Sequence, residues 1–164
     1  MSATMNDDKQ QDVLDAAQAQ FLRYGFKRVT MGDIATAAAM SRPALYLLFP
    51  NKEAIFNGVY ARFVDTSLIE IEAGIAGLDA VGEQLTFAVE IWTVRPYELL
   101  HHTPEGRELT DCSYSFAETL VQESYRRFDA VIESILSTYT TTLKSQGLTP
   151  AAAAEIFSMT LRGI

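Results

Sequence analysis

The 164-residue sequence is 48% hydrophobic and carries a formal net charge of −8. That apolar content can fill one large core or two small ones, which excludes a disordered or fibrous protein. Its one cysteine, Cys112, excludes an intramolecular disulfide and suits a reducing compartment.

The N-terminal stretch is polar and acidic. Residues 1–11 lack the apolar core of a signal peptide, and no apolar run approaches the length that crosses a bilayer. We therefore expect a cytoplasmic protein without a membrane partner. Met1 to about Asp8 should form a mobile tail.

Charge is distributed unevenly along the chain. Residues 1–60 hold six Lys or Arg and six Asp or Glu, whereas residues 61–164 hold seven and fifteen. The basic residues around the motif described below are Lys27, Arg28, Arg42 and Lys52. A local basic edge on an acidic protein permits specific binding to nucleic acid and predicts weak non-specific binding.

Three helices are predicted in the first 50 residues. The first has apolar residues at helical spacing and ends at Gly25, which suits a left-handed C-cap. The second begins at Thr30, a good N-cap, with Asp33 as the acid of a capping box. The third begins at Ser41, with Pro43 in its first turn. Two short helices joined by a tight turn form a helix-turn-helix.

The third predicted helix has one face for the core and one that is open. The core face consists of Leu45, Leu48 and Phe49. The open face consists of Arg42, Pro43, Ala44, Tyr46 and Leu47. Mostly small or apolar side chains with one Arg and one Tyr can approach a groove closely. The alternative is that Tyr46 and Leu47 pack on another part of the protein.

The N-terminal part of the chain contains five short motifs in a specific order: Ala16-Ala17, Phe21 to Phe26, Thr30 to Ala35, Ser41 to Tyr46 and Phe49 to Glu53. In this order and spacing they resemble the DNA-binding domain of the TetR family of bacterial transcriptional regulators. The resemblance implies an all-α protein. Residues 1–50 would form a three-helix helix-turn-helix domain, and residues 51–164 a helical-bundle ligand-binding and dimerisation domain, linked by a fourth helix from about residue 52.

The resemblance also implies a homodimer that places two reading helices in successive major grooves of an operator. Phosphates would be contacted by Thr30, Ser41, Arg42, Tyr46 and Lys52. The residues nearest the bases would be Arg42, Pro43, Ala44 and Leu47.

The sequence departs from the family pattern in two respects. Ala39 stands where the family has Gly, and an Ala held at positive φ would cost on the order of 1 kcal/mol. Leu47 and Leu48 stand where the family tends to have polar or aromatic residues. Leu cannot read bases through hydrogen bonds, although it can touch a thymine methyl group.

Further helices are predicted after the motif. Gly74, Gly77 and Gly82 separate the fourth helix from a fifth. The later predicted helices span residues 83–94, ending or disturbed at Arg95-Pro96, then 104 to about 111, 113–146 and 151–164. Because the last of these has no stop signal, we expect the sequence to continue beyond Ile164.

Aromatic residues are frequent in the second part of the chain. In the family such helices enclose a small-molecule pocket, and pockets are mostly apolar with a few polar groups. The candidate pocket residues are Phe87, Trp92, Tyr97, His101, Tyr114, Phe116, Tyr125 and Phe128. The alternative is that these residues are ordinary core.

Enzymatic chemistry has little support. Glu98 and His101 have the i, i+3 spacing of a metal pair in a helical bundle, but the second pair that such a site needs is missing. Cys112 has no cation beside it in sequence that would activate a thiolate. No phosphate-binding loop or nucleophile elbow is present. We therefore expect no catalytic residue, metal or cofactor.

The predicted function is that of a DNA-binding transcriptional regulator, most simply a repressor released from its operator by a small-molecule effector. Two alternatives remain. One is a helical protein-interaction module that does not bind DNA. The other is a small-molecule-binding or metal-dependent enzyme.

Overall fold

A computed structural model describes residues 2–110 and 116–162, except for the side chains of residues 2–5 and 110. Throughout these ranges every regular element is helical, which confirms the all-α prediction. The helices are α1 Ser2–Tyr24, α2 Met31–Ala37, α3 Arg42–Leu48, α4 Lys52–Ile75, α5 Val81–Val89, α6 Arg95–His101, α7 Pro104–Thr110, α8 Glu118–Leu136, α9 Thr140–Ser145 and α10 Pro150–Arg162. A π-helical turn, Glu90–Val94, joins α5 to α6, and a 3-10 turn, Ser137–Tyr139, joins α8 to α9.

The chain forms two compact units. The first comprises Met1–Phe63 and Glu98–Glu118, and the second Val64–Tyr97 and Thr119–Ile164, each taken over the described residues. The predicted division into functional domains at residue 50 stays a prediction. The compact units differ from it, because a segment from the second half of the chain packs with the helix-turn-helix.

The predicted N-terminal tail is wrong for residues 2–8, because α1 begins at Ser2. No Gly or Pro lies between Ser2 and Tyr24, so nothing in the sequence stops the helix from extending toward the N-terminus. The C-terminal end of α1 agrees with the sequence. Gly25 has φ of 77°, the left-handed conformation expected of a helix-ending glycine.

Four phenylalanine rings form the aromatic centre of the first unit. Phe26 lies with its ring centroid 5.5 Å from that of Phe21 and 5.2 Å from that of Phe56. Phe116 joins them at 5.3 Å from Phe26 and 5.7 Å from Phe56. Edge and tilted contacts of this kind add to the free energy from burial. They explain why Phe116 belongs to the same unit as the helix-turn-helix.

Helix α7 meets the end of α1. Thr103 caps α7, since its hydroxyl accepts from the Gly106 N–H at 2.9 Å. From α7 the Glu108 carboxylate accepts from the Lys27 N–H at 2.9 Å. A Cβ at Gly25 would lie 2.8 Å from Glu108 Oε2, so the Glu108 carboxylate would have to shift if position 25 carried a side chain.

The predicted disturbance of the helix at Arg95-Pro96 is present, although the helix does not end there. The π-turn Glu90–Val94 lies directly before these residues, and α6 continues from Arg95 to His101. The predicted long helix of residues 113–146 is interrupted after Leu136. There the Ser137 and Thr140 hydroxyls donate to backbone carbonyls at 2.7 and 2.6 Å, in competition with regular helix bonds.

The second unit is built on the apolar face of α8. Its buried side chains include Phe128, Val131, Ile132 and Ile135. Trp92 from the π-turn stacks on Phe128, with centroids 4.6 Å apart and an interplanar angle of 10°. Among the described residues no helix combines the length and apolar character that a bilayer span needs.

The turn between α2 and α3 contains a left-handed residue that is not glycine. Ala39 has φ of 53°. The Met40 N–H donates to the Ala35 carbonyl at 2.9 Å and the Ala39 N–H to the Thr36 carbonyl at 3.1 Å. This is the hydrogen-bond pattern of a Schellman motif, which places its left-handed residue at Ala39. The capping signals of the two flanking helices therefore outweigh the strain of one alanine at positive φ.

Replacing Ala39 by glycine should raise the free energy of unfolding by about 1 kcal/mol, because the strain of a Cβ at positive φ is removed. Urea denaturation followed by circular dichroism measures the change. Ala37→Gly is the matched control, since Ala37 is the last residue of α2 and the same exchange there should lower stability by up to about 1 kcal/mol. Equal losses at both positions would contradict the left-handed turn.

Candidate nucleic-acid interface

A reciprocal capping box begins α2. The Thr30 hydroxyl accepts from the Asp33 N–H at 3.3 Å, and the Asp33 carboxylate accepts from the Thr30 N–H at 2.9 Å. The same carboxylate accepts from the Thr30 hydroxyl at 2.7 Å. These hydrogen bonds, the side-chain one first, hold the pKa of Asp33 below its ordinary value. The predicted cap is confirmed, whereas contact of Thr30 with a phosphate stays a prediction.

Helix α3 has the two predicted faces. Ser41 caps it by accepting from the Ala44 N–H at 3.3 Å. Leu45 is fully buried, whereas Tyr46 is 54% and Leu47 87% exposed. Of the remaining predicted contact residues, Ser41, Arg42 and Pro43 are exposed and Ala44 is half-buried. The structure therefore brings the α3 part of the predicted site together on one short helix.

Arg42 lies over the first turn of α2. A Cβ at Gly32 would overlap its guanidinium, so the absence of a side chain at Gly32 makes the room that Arg42 occupies. Arg42 also contributes, as the smallest cause, to the lowered pKa of Asp33. The guanidinium thus lies beside the N-terminus of α2 while its residue remains exposed. Its position suits a phosphate better than a base edge.

Lys52 bonds to the loop between α1 and α2. Its ammonium donates to the carbonyls of Phe26 at 2.6 Å and Val29 at 2.8 Å, with Lys27 O at 3.5 Å. It also lies 4.3 Å from the centroid of the Phe26 ring. Burial lowers the pKa of Lys52, while Glu53 and Glu108 oppose the shift. The ammonium therefore holds the loop in place, and its contact with a phosphate stays a prediction.

Sequence reasoning missed Arg62 as a link between α1 and α4. Its guanidinium pairs with Asp15 at 2.7 Å and donates to Gln11 at 3.2 Å and Gln18 at 2.9 Å. A signal was present, because residues 11, 15 and 18 have helical spacing and form one polar row on α1. Arg62 neutralises one of the acids that precede the motif.

The predicted ligand-pocket residues are divided between the units. Trp92, Tyr125 and Phe128 come together in the second unit, where the ring centroids of Tyr125 and Trp92 are 6.3 Å apart. Phe87 packs against Gly74, and Tyr97 is 50% exposed. His101 and Phe116 belong to the first unit. Tyr114, like Cys112, lies outside the described residues.

An open groove of about 360 Å³ lies between α4 and α8 in the second unit. At one end Arg127 pairs with Asp65 at 2.7 Å. Its lining residues are Leu68, Ile69, Glu72, Ile75, Arg127, Ala130, Val131 and Ser134. None of these was among the predicted pocket residues. Within residues 2–110 and 116–162, no three His, Cys, Asp or Glu side chains are grouped closely enough to hold a metal ion.

Comparison with known proteins identifies the helix-turn-helix. The profile described as "Bacterial regulatory proteins, tetR family" matches residues 13–59. The probable acrEF/envCD operon repressor of Escherichia coli K12 is 40% identical over 50 residues, which are 30% of this chain and 23% of the relative. Residues 13–59 carry the DNA-binding domain of the TetR family. Another relative is the HTH-type transcriptional regulator RutR of Escherichia coli K12, 30% identical over 86 residues, or 51% of this chain and 41% of RutR.

Solved structures share the TetR-family fold well beyond this region. The fatty acid degradation regulator FadR from Bacillus halodurans has a TM-score of 0.72 at 19% identity, covering 93% of this chain and 79% of FadR. A putative transcriptional regulator from Pseudomonas aeruginosa PAO1 has a TM-score of 0.69 at 18% identity, covering 96% and 77%. These likenesses support an N-terminal helix-turn-helix followed by a helical domain. The curated relatives match over less than half of their length.

Replacing Lys52 by methionine should lower the free energy of unfolding by about 1–3 kcal/mol, because charge-assisted hydrogen bonds to the loop carbonyls are lost. Urea denaturation measures the loss. Lys27→Met is the matched control, since Lys27 is exposed in the same loop and its replacement should change stability by less than about 0.5 kcal/mol. Equal effects of the two exchanges would show that the Lys52 bonds contribute nothing.

The capping box should make stability depend on pH in the acidic range. Because the pKa of Asp33 is lowered from 3.8, its contribution is complete above pH 3.8 and is lost as the pH falls through the folded-state value. Wild type and Asp33→Asn should therefore differ in stability near neutral pH and converge on acidification. In a Thr30→Val background the difference should shrink at every pH. Urea titrations at several pH values test both statements.

Proposed function

We propose that this TetR-family protein is a DNA-binding regulator of transcription whose α3 enters the major groove. The observation that carries the proposal is the exposure of Tyr46 and Leu47, opposite the buried Leu45, on a helix set by a capped turn. A homodimer would present two such helices to a two-fold operator. Thr30, Ser41, Arg42, Tyr46 and Lys52 would fix its register on phosphates, with Pro43, Ala44 and Leu47 nearest the bases.

We propose further that a small-molecule effector releases the protein from DNA. Two solved structures similar to this chain support an effector: SmeT is a complex with triclosan, and a putative regulator from Saccharomonospora viridis is a complex with choline. The acrEF/envCD relative is named a repressor. A coupling of about 1–3 kcal/mol between effector and operator would change occupancy noticeably. Helix α4 has residues in both compact units and could transmit it.

Fluorescence anisotropy with DNA that flanks the protein's own gene, at two salt concentrations, tests the proposal. Wild type should bind, and binding should weaken as salt rises because phosphate contacts release counterions. Arg42→Ala with Tyr46→Ala should abolish binding. The matched control is Arg126→Ala with Tyr139→Ala, an exchange of exposed residues on α8 and the 3-10 turn, which should leave affinity unchanged.

Two outcomes would contradict the proposal. One is that folded wild-type protein binds neither this DNA nor any sequence selected from a random library, which would favour a helical protein-interaction module that uses the same exposed face of α3. The other is that the Arg42 and Tyr46 exchanges leave affinity at the control level, which would show that DNA is bound through a surface other than α3.

A further inference from the structure

We propose that the protein recognises its operator mainly through thymine methyl groups, with Leu47 as the specificity-determining residue. This inference rests on the proposed DNA binding and adds the chemistry by which bases are distinguished.

The outward face of α3 is apolar at its centre. Leu47 is 87% exposed, more than any other large hydrophobic side chain in the described part of the chain. Pro43 lies one helical turn before it and is also exposed. Neither side chain can donate or accept a hydrogen bond. What such a surface can distinguish in the major groove is the C5-methyl group of thymine, the apolar feature that the groove displays.

The charged groups of the two cationic residues nearest to Leu47 in sequence lie against other elements. The Arg42 guanidinium lies over Gly32, beside the first turn of α2. The Lys52 ammonium donates to the carbonyls of Phe26 and Val29. Reading of guanine through a bidentate Arg or Lys is the commonest specific contact, and it would require one of these groups to leave its present position. The structure therefore favours methyl contacts over guanine contacts.

Exposure of Leu47 is not a requirement of the fold. The buried side of α3 is supplied by Leu45, and the helix is capped by Ser41, so a polar residue at position 47 would leave both intact. A leucine that is 87% exposed keeps most of its apolar surface in contact with water, which is unfavourable unless a partner covers it. In the proposed complex the thymine methyl group is that partner.

Uracil substitution tests the inference, because uracil pairs as thymine does and lacks only the methyl group. A site is first obtained by selection from random DNA, and each thymine of a half-site is then replaced by uracil in turn. For wild type we expect about fourfold weaker binding at one or two positions, the change that corresponds to one buried methyl group. At those positions Leu47→Ala should bind thymine and uracil DNA equally.

Two further variants complete the experiment. Leu47→Met keeps an apolar side chain of similar size and should retain the preference for thymine. Leu99→Ala is the matched control, since Leu99 is 62% exposed on α6 and its replacement should leave the preference unchanged. Thermal unfolding followed by circular dichroism verifies that each variant is folded.

The outcomes separate this inference from the proposed function. Failure to select any DNA would overturn DNA binding itself. Binding of selected DNA with no loss at any uracil would overturn methyl reading while DNA binding stands. A uracil effect that persists in Leu47→Ala would assign methyl reading to another residue and so overturn the role of Leu47.

Discussion

The loop between α1 and α2 is the constraint on which the first unit depends. Phe26 places its ring against Phe56 and offers its carbonyl to Lys52, which also lies over that ring. The next residue, Lys27, donates its N–H to Glu108. Because Thr30 begins α2 only four residues after Phe26, a displacement of this loop would move the N-terminus of α2 and, through the tight turn that follows, α3.

Several cationic side chains of the first unit contact other parts of the same unit. Lys52 holds the loop, Arg62 ties α4 to the polar row of α1, and Arg42 lies across the start of α2. Residues 1–60 have equal numbers of acidic and basic side chains. In the proposed complex a surface of this kind would attract DNA weakly over long distances, so shape and apolar contact would contribute more of the discrimination between sites.

The second unit shows how far its aromatic residues serve packing. Phe128 is fully buried and Trp92 stacks on it, while Phe87 fills the space beside Gly74. Phe128 therefore belongs to the core, whereas Trp92 and Phe87 are half-buried. The effector pocket remains a prediction, and the groove between α4 and α8 is a second place for it.

Local signals in the sequence determined the elements of the helix-turn-helix. The side chains that cap α2 and α3 bond to backbone groups within three residues; these are Thr30, Asp33 and Ser41. Gly25 and Ala39 adopt positive φ. Such local effects can be recognised in the sequence without knowledge of the fold. The open face of α3 followed from helical periodicity. The end of the long predicted helix did not, because exposed Ser and Thr hydroxyls compete with helix bonds only where packing permits.

Tertiary structure alone decided where the long side chains and distant segments lie. Lys52 and Arg62 have several rotatable bonds, and their partners are 23 or more residues away in sequence. No local pattern could therefore show that Lys52 bonds to loop carbonyls and Arg62 to α1. Phe116 and Glu108 come from the second half of the chain, yet they complete the first unit. Contacts between residues so far apart depend on how all the helices pack, which periodicity and capping do not encode.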